Sequence, residues 1–329
     1  MMRAVVVCFA ALLPLAAAGS GADPAAVERF ARDAAGRYGL DAAEIGATLA
    51  QAQWKPVILE AISRPAETKP WHEYRKIFLT EARIAGGVAF WNRNAELLDR
   101  VEAAYGVPPQ IVTAIIGVET RYGANTGSFR VLDSLYTLGF GYPKRSEFFL
   151  GELAQFLALA REERVDPLAA TGSYAGAMGM PQFISSSYRR YAVDFDGDDR
   201  RDLWNSTADI IGSVGNYFAL HGWRAAAPVA YRATVAGEPG DDHGTRGLKP
   251  WTTLAELAAA GVEINPNLPG TTPAALIRLD QTEGPEYWAG LDNFYTITRY
   301  NHSALYAMAV FQLSEEIRER HEQAHSLFP

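Results

Sequence analysis

The sequence predicts an α+β protein that is mainly α, and three observations carry that reading. Apolar residues at three- and four-residue spacing, punctuated by capping residues, dominate the first half. Between Pro228 and Asp280 the texture changes to short strand-like runs separated by Gly, Pro and Asp. After Asn301 a helical pattern returns and runs into a charged tail.

Each element has a local cause. Asp23-Pro24 reads as an N-cap with proline at the first helical position, followed by Val27, Phe30, Ala31 and Ala34 at helical spacing and a stop near Gly36 or Gly39. Asp41 and Glu44 make a capping-box-like start to a second helix, which Pro56 interrupts. Residues 80–105 read as one long helix closed by Gly106, and Pro108 opens the next, which carries Glu119. A further helix is expected over 143–164, with Phe148, Phe149, Leu153, Phe156 and Leu157 on one side, and another over 208–221. The runs 229–235 and 276–279 are expected to be strands of a small β-containing insertion. Asn301 is taken to open the last helix, through Tyr306, Val310 and Leu313, with 315–322 as a solvated face.

The N-terminus reads as a secretory signal. Arg3 precedes an apolar run over 4–18, too short for a membrane span of roughly 20 residues, and small residues around Ala16-Ala17-Ala18 and Gly19 to Ala22 offer cleavage sites. The one cysteine, Cys8, lies inside that run, so the mature chain is left without a disulfide, a thiolate metal site or a cysteine nucleophile. Cys8 also comes too early to be a lipidated cysteine, so a periplasmic protein without a transmembrane segment is expected. A net charge of -8 with no dense Lys/Arg run excludes phosphate-backbone binding as a main role, so nucleic acid is not an expected partner. With 329 residues and 48% hydrophobic content, the chain can bury a large core in more than one lobe.

Two motifs carry chemistry. In Gly117-Val118-Glu119-Thr120-Arg121-Tyr122-Gly123, the carboxylate of Glu119 follows Val112, Ile115 and Ile116 at seven-, four- and three-residue spacing, on the face of core-facing aliphatics. Burial there would raise its pKa and keep it protonated as a general acid; the plainer alternative is a helix-terminal Glu whose head reaches solvent. Downstream, Asp194, Asp196, Asp198 and Asp202 alternate in an acidic loop suited to a hard, oxygen-seeking cation such as Ca²⁺, and resemble the start of an EF-hand. The sixth position, usually Gly, is Asp199, the seventh is Arg200, and the twelfth, usually Glu, is Asn205; Asp209 is the substitute closing carboxylate. The alternative is an acidic turn with capping duty. A lone loop of this kind on a secreted chain reads as a structural clip.

These segments, with Ser173 to Phe183 (Ser-Tyr-Ala-Gly-Ala-Met-Gly-Met-Pro-Gln-Phe), Asp202 to Asn205, Gly212 to Phe218, and Phe294 to Asn301 followed by Tyr306 to Val310, resemble the B-type lytic murein transglycosylases over nearly the whole mature chain. The resemblance implies a lysozyme-like catalytic core flanked by a helical lobe and a small β lobe. The expected division is a signal over 1–22, a helical lobe over 23–105, the catalytic core with its ion loop over 106–227, the β lobe over 228–290, and a groove segment with the final helix over 291–329.

It further implies Glu119 as the single catalytic acid, with Ser173 and Gln182 as polar groups around the cleaved sugar. By the same resemblance Tyr217, Asn301, Tyr300 and Tyr306 are expected to line the groove, with Tyr74, Arg145, Met178 and Phe183 as further wall residues. Without the family, Met178 and Phe183 read as core and Tyr74 as packing. Asp194, Asp196, Asp198, Arg200, Asp202 and Asp209 are the implied positions for a structural Ca²⁺; no cofactor is expected for catalysis. The implied reaction cuts the β-1,4 bond between N-acetylmuramic acid and N-acetylglucosamine. Glu119 protonates the leaving oxygen, then deprotonates the C6 hydroxyl, which closes a 1,6-anhydro ring. A hydrolytic muramidase would need a second carboxylate, for which Asp133 and Glu147 are the candidates. A non-catalytic glycan-binding scaffold is the third reading. The expected partner is peptidoglycan, met as a monomer, with contact to other cell-wall enzymes left open.

Overall fold

A computed structural model describes residues 21–63, 69–235, 246–264 and 267–326. The expected signal, Cys8 included, lies outside these residues apart from Gly21 and Ala22. The described chain is α+β and mainly α, as expected.

Six helices come first: α1 (Pro24–Tyr38), α2 (Ala42–Leu49), α3 (Pro56–Ile62), α4 (Trp71–Phe78), α5 (Glu81–Arg93) and α6 (Ala95–Tyr105). Asp23 accepts a hydrogen bond from the Ala25 amide at 3.1 Å, and Gly39 ends α1 in the left-handed conformation at φ 65°. The single long helix expected over 80–105 is in fact two. At Asn94, φ is -123° and ψ 22°, and the side-chain Nδ2 donates to the Phe90 carbonyl at 2.8 Å, which offers the backbone a local alternative to continuing the helix.

Next comes α7 (Pro109–Thr120), buried on every side. It packs against α5, α6, α11 (Thr207–Leu220) and α14 (Ala304–Ser326). The expectation of one apolar face was therefore too narrow, since only Gln110 and Glu119 within α7 keep any appreciable solvent contact. Strand β1 (Phe129–Arg130) leads into α8 (Val131–Gly141), which is almost all buried and so lacks the one-sided pattern that reveals a helix in sequence. After a 3-10 turn (Pro143–Arg145) comes α9 (Ser146–Glu162), three residues later than expected. Strand β2 (Thr171–Gly172) pairs antiparallel with β1, and α10 (Ser185–Tyr191) precedes α11.

The insertion is larger than the two runs read from sequence. Strands β3 (Ala230–Val235), β4 (Thr252–Thr253), β5 (Val262–Glu263), β6 (Pro273–Gln281) and β7 (Gly284–Gly290) form an antiparallel sheet of order β4-β6-β7-β3-β5, with α12 (Leu254–Ala259) packed on it. Thr253 and Glu256 make a capping box that opens α12. Ala233, Leu254, Leu257, Val262, Ala274, Leu276, Ala289 and Leu291 form a small core of their own, while a large core runs from Ala31 to Ile317. Helix α13 (Asp292–Thr298) returns the chain to the large core. The last helix starts at Ala304, not Asn301, because Ser303 caps it: its Oγ accepts from the Tyr306 amide at 3.3 Å.

Among the described residues no single helix is long and apolar enough to cross a membrane.

Candidate active site

Glu119 sits in the last turn of α7, next to three consecutive residues in the left-handed region: Arg121 at φ 51°, Tyr122 at 60° and Gly123 at 90°. The reversal sends Tyr122 back under its own helix. A Cβ on Gly117 would lie 2.5 Å from the Tyr122 hydroxyl, so Gly117 is the gap that this ring fills. The hydroxyl donates to the Arg83 carbonyl at 2.8 Å, and the ring stacks on Phe90 at 5.6 Å, tying the end of α7 to α5.

One edge of Glu119 keeps contact with solvent, but its carboxyl is crowded by protein. Desolvation raises its pKa from 4.5 to about 7, opposed by a hydrogen bond that stabilises the carboxylate. The donor is Tyr306 on α14, whose hydroxyl lies 2.5 Å from Oε1. Burial and the nearby Glu119 charge push the Tyr306 phenol well above its ordinary value, so it remains a donor across the working range. Among the described residues, no second carboxylate contributes to the Glu119 shift. Asp133 is 2% exposed and tied by Arg130 at 2.7 and 2.9 Å and by the Gln53 amide at 2.8 Å. Glu147 is exposed, beside a hollow whose lining includes none of the Glu119 cluster.

Opposite Tyr306 lies a tight turn over 178–183. Met178 and Phe183 exchange backbone hydrogen bonds at 2.8 and 3.1 Å, and Gln182 at its corner has φ 54°. Both neighbouring carbonyls are held: Thr120 Oγ1 donates to Met180 at 2.9 Å, and Tyr300 donates to Pro181 at 2.7 Å. The Gln182 Nε2 donates to Thr126 and Gly179 carbonyls at 3.0 and 2.9 Å, so its side-chain oxygen retains accepting capacity. Ser173 Oγ accepts the amides of Ala175 and Ala177 at 3.2 and 3.0 Å, which leaves its proton to be donated elsewhere.

The aromatic residues form one wall. Tyr300 stacks on Tyr306 with centroids 6.5 Å apart and planes at 11°, and contacts Tyr217 at 4.8 Å and Phe183 at 5.9 Å. Tyr217 donates to the Arg299 carbonyl at 2.5 Å and stacks on His221 at 4.0 Å. Tyr74 on α4 is close enough to raise the Tyr306 pKa further.

The remaining expected wall residues differ in exposure. Met178 is fully buried and Phe183 only 2% exposed; both support the wall from behind and present little surface to a ligand. Arg145 lies exposed on the 3-10 turn, its guanidinium 4.2 Å from the Phe148 ring, with no described contact to the Glu119 cluster. Asn301 is exposed at the turn before α14. Sequence reasoning missed Thr120, whose only sign was a polar residue in an apolar helix beside the acid, and Tyr122, whose role depends on the chain reversal.

In the acidic loop, carboxylate oxygens of Asp194, Asp196 and Asp209 converge within 4.8 Å of one another. Asp209 is fully buried in the first turn of α11 and accepts amides of Phe195 and Asp202 at 2.8 Å each. Desolvation raises its pKa, and the Asp196 and Asp194 charges add to this. For Asp194, burial acts upward, but the amides of Gly197, Asp199 and Asp198 prevail and lower it. Asp199 adopts φ 65°, the conformation for which glycine is usual here and which Asp tolerates. Outside this triplet, the Asp198 carboxylate accepts from the Arg200 amide at 2.9 Å, and Asp202 from Trp204 and Asn205 amides at 2.9 and 3.0 Å. Both act as turn caps.

Comparison with known proteins agrees with this architecture. A family model described as "Transglycosylase SLT domain" matches residues 22–315. The chain is 45% identical over 302 residues to membrane-bound lytic murein transglycosylase B of Escherichia coli K12, covering 88% of this chain and 82% of that protein. Among solved structures it resembles soluble lytic transglycosylase SltB1 from Pseudomonas aeruginosa, with 51% identity, a TM-score of 0.85, and 90% and 99% of the two chains covered. It also resembles Escherichia coli lytic transglycosylase Slt35 in complex with calcium, with 44% identity, a TM-score of 0.83, and 92% and 96% covered. The chain belongs to the transglycosylase SLT domain family.

Proposed function

We propose that the protein is a lytic transglycosylase that cleaves the β-1,4 bond between N-acetylmuramic acid and N-acetylglucosamine and leaves 1,6-anhydromuramoyl ends. The observation that carries this reading is the solitary, desolvated carboxyl of Glu119, with the phenol of Tyr306 as its hydrogen-bond donor and no second carboxylate acting on it among the described residues. With a pKa of about 7, a large fraction is protonated near neutral pH, which suits proton donation to the glycosidic oxygen.

Once ionised, the same group is a base of matching strength for the C6 hydroxyl. Tyr306 favours this ionised state through its hydrogen bond. The Ser173 proton and the Gln182 oxygen are both free to engage the acetamido group of the substrate, which then stands in for the absent nucleophile. The tyrosine wall would carry sugar faces and exclude water. A hydrolytic muramidase is the weaker reading because Asp133 is already engaged by Arg130. Such chemistry would be carried out at the bacterial cell wall, in the periplasm.

Asp194, Asp196 and Asp209 would hold a Ca²⁺ ion, which neutralises three crowded like charges and ties the loop to α11. Its role would be structural, since the loop supplies no group to the Glu119 cluster.

Muropeptides released from purified peptidoglycan should be lighter by one water than hydrolytic products when analysed by mass spectrometry. Glu119→Gln should reduce the rate by about 10²–10⁴ while still binding the glycan; full-mass reducing ends would contradict the proposal. Activity that needs protonated Glu119 should fall as pH rises through about 7. Tyr306→Phe removes the interaction that lowers this pKa, so the alkaline limb should move to higher pH and not lower. Chelation should reduce the melting temperature, and Asp209→Asn should abolish that response; an unchanged melting temperature would exclude the clip.

A further inference from the structure

The distal end of α14 carries side chains that the chemistry at Glu119 does not use. His321 and His325 are one turn apart, and their Nε2 atoms lie 3.1 Å from each other. His325 Nε2 is also 3.3 Å from Oδ1 of Asn92 on α5. The His321 ring lies flat against Trp91, with centroids 4.1 Å apart and planes at 9°, which sets its orientation. One residue earlier, Arg320 forms a two-pronged ion pair with Glu81 at 2.5 and 3.0 Å, which holds this end of α14 against α5.

We propose that His321, His325 and Asn92 form a binding site for a divalent first-row transition-metal ion, with the two Nε2 atoms and the Asn92 carboxamide oxygen as ligands. Water completes the coordination. With metal–nitrogen bonds of about 2.1 Å, two nitrogens 3.1 Å apart subtend about 95° at the ion, between octahedral and tetrahedral values. Imidazole donors favour Cu²⁺, Ni²⁺ and Zn²⁺, whereas Ca²⁺ and Mg²⁺ require oxygen, so this site is chemically distinct from the acidic loop. Ligation requires neutral rings. The flat contact with Trp91 does the work that an outer hydrogen bond does in other metal sites, fixing the ligand before the ion arrives. An ion here would cross-link α14 to α5 far from the catalytic carboxyl, and its effect should appear in stability and not in turnover.

The competing explanation is that the two imidazoles share a proton in an ordinary hydrogen bond and hold nothing. Calorimetric titration of the untagged chain with Ni²⁺, in calcium-containing buffer, separates the two. The proposal predicts one ion per chain, tighter binding of Cu²⁺ than of Ni²⁺, and loss of affinity on the order of tenfold or more in both His321→Gln and His325→Gln. Asn92→Asp, which offers a carboxylate in place of an amide, should tighten binding. Ni²⁺ should raise the melting temperature of the parent but not of the histidine variants. No binding by the folded parent, or binding unchanged in both histidine variants, would overturn the site. Unchanged affinity in Asn92→Asp would overturn the three-ligand assignment.

Discussion

The hydrogen bond from Tyr306 to Glu119, made inside a desolvated pocket, is the contact on which the rest of the arrangement depends. Burial drives the carboxyl towards neutrality, and the phenol draws it back towards ionisation. The balance leaves a group able to give a proton and then take one. This position has a cost: a carboxyl moved from 4.5 to about 7 destabilises the ionised fold by about 3 kcal/mol relative to a solvated one. The cost applies above the folded pKa, shrinks as pH falls from 7 to 4.5, and vanishes below that. A cost of this size is a large fraction of a domain's net stability.

That scaffold is built to fix two strands of chain on either side of the carboxyl. Helix α7 supplies the acid from within the core, and α14 supplies the phenol from the other end of the sequence. The turn carrying Gln182 is fixed from both sides, by Thr120 on the acid's own helix and by Tyr300 on the tyrosine wall. Arg121, Tyr122 and Gln182 all occupy the left-handed region, which costs each of them on the order of 1 kcal/mol. Such conformations persist because packing over-determines them: Tyr122 is locked into the space left by Gly117, and Met178 and Phe183 clamp the turn. Local strain, a buried ionisable group and dense support thus occur together at one place.

What the sequence disclosed was what is local. Asp23-Pro24 and Gly106 mark helix ends through interactions within a turn and do so in the structure; of the two stops offered for α1, Gly39 ends the helix and Gly36 lies inside it. The position of Glu119 at the end of an apolar helix was equally legible, as was the acidic loop with its substitute Asp209. The break at Asn94 was not, because good helical periodicity continues across it and the side-chain bond to Phe90 found there leaves no mark in that periodicity. Helix α8 escaped notice since burial on all sides erases the pattern that would announce it. The partner of Glu119 lies 187 residues away, and no spacing rule reaches that far; only the resemblance to a known family pointed to Tyr306. The resemblance implied Met178 and Phe183 as wall residues and bare hydrophobicity read them as core; both are buried in the large core.

Titration of the Glu119 carboxyl itself, followed by carbon NMR in the selectively labelled protein without substrate, tests this balance at its source. A midpoint near 7 is expected, moving higher in Tyr306→Phe. A midpoint at the ordinary value of 4.5 would mean that the carboxyl is solvated and ionised at neutral pH, and would contradict its assignment as the general acid.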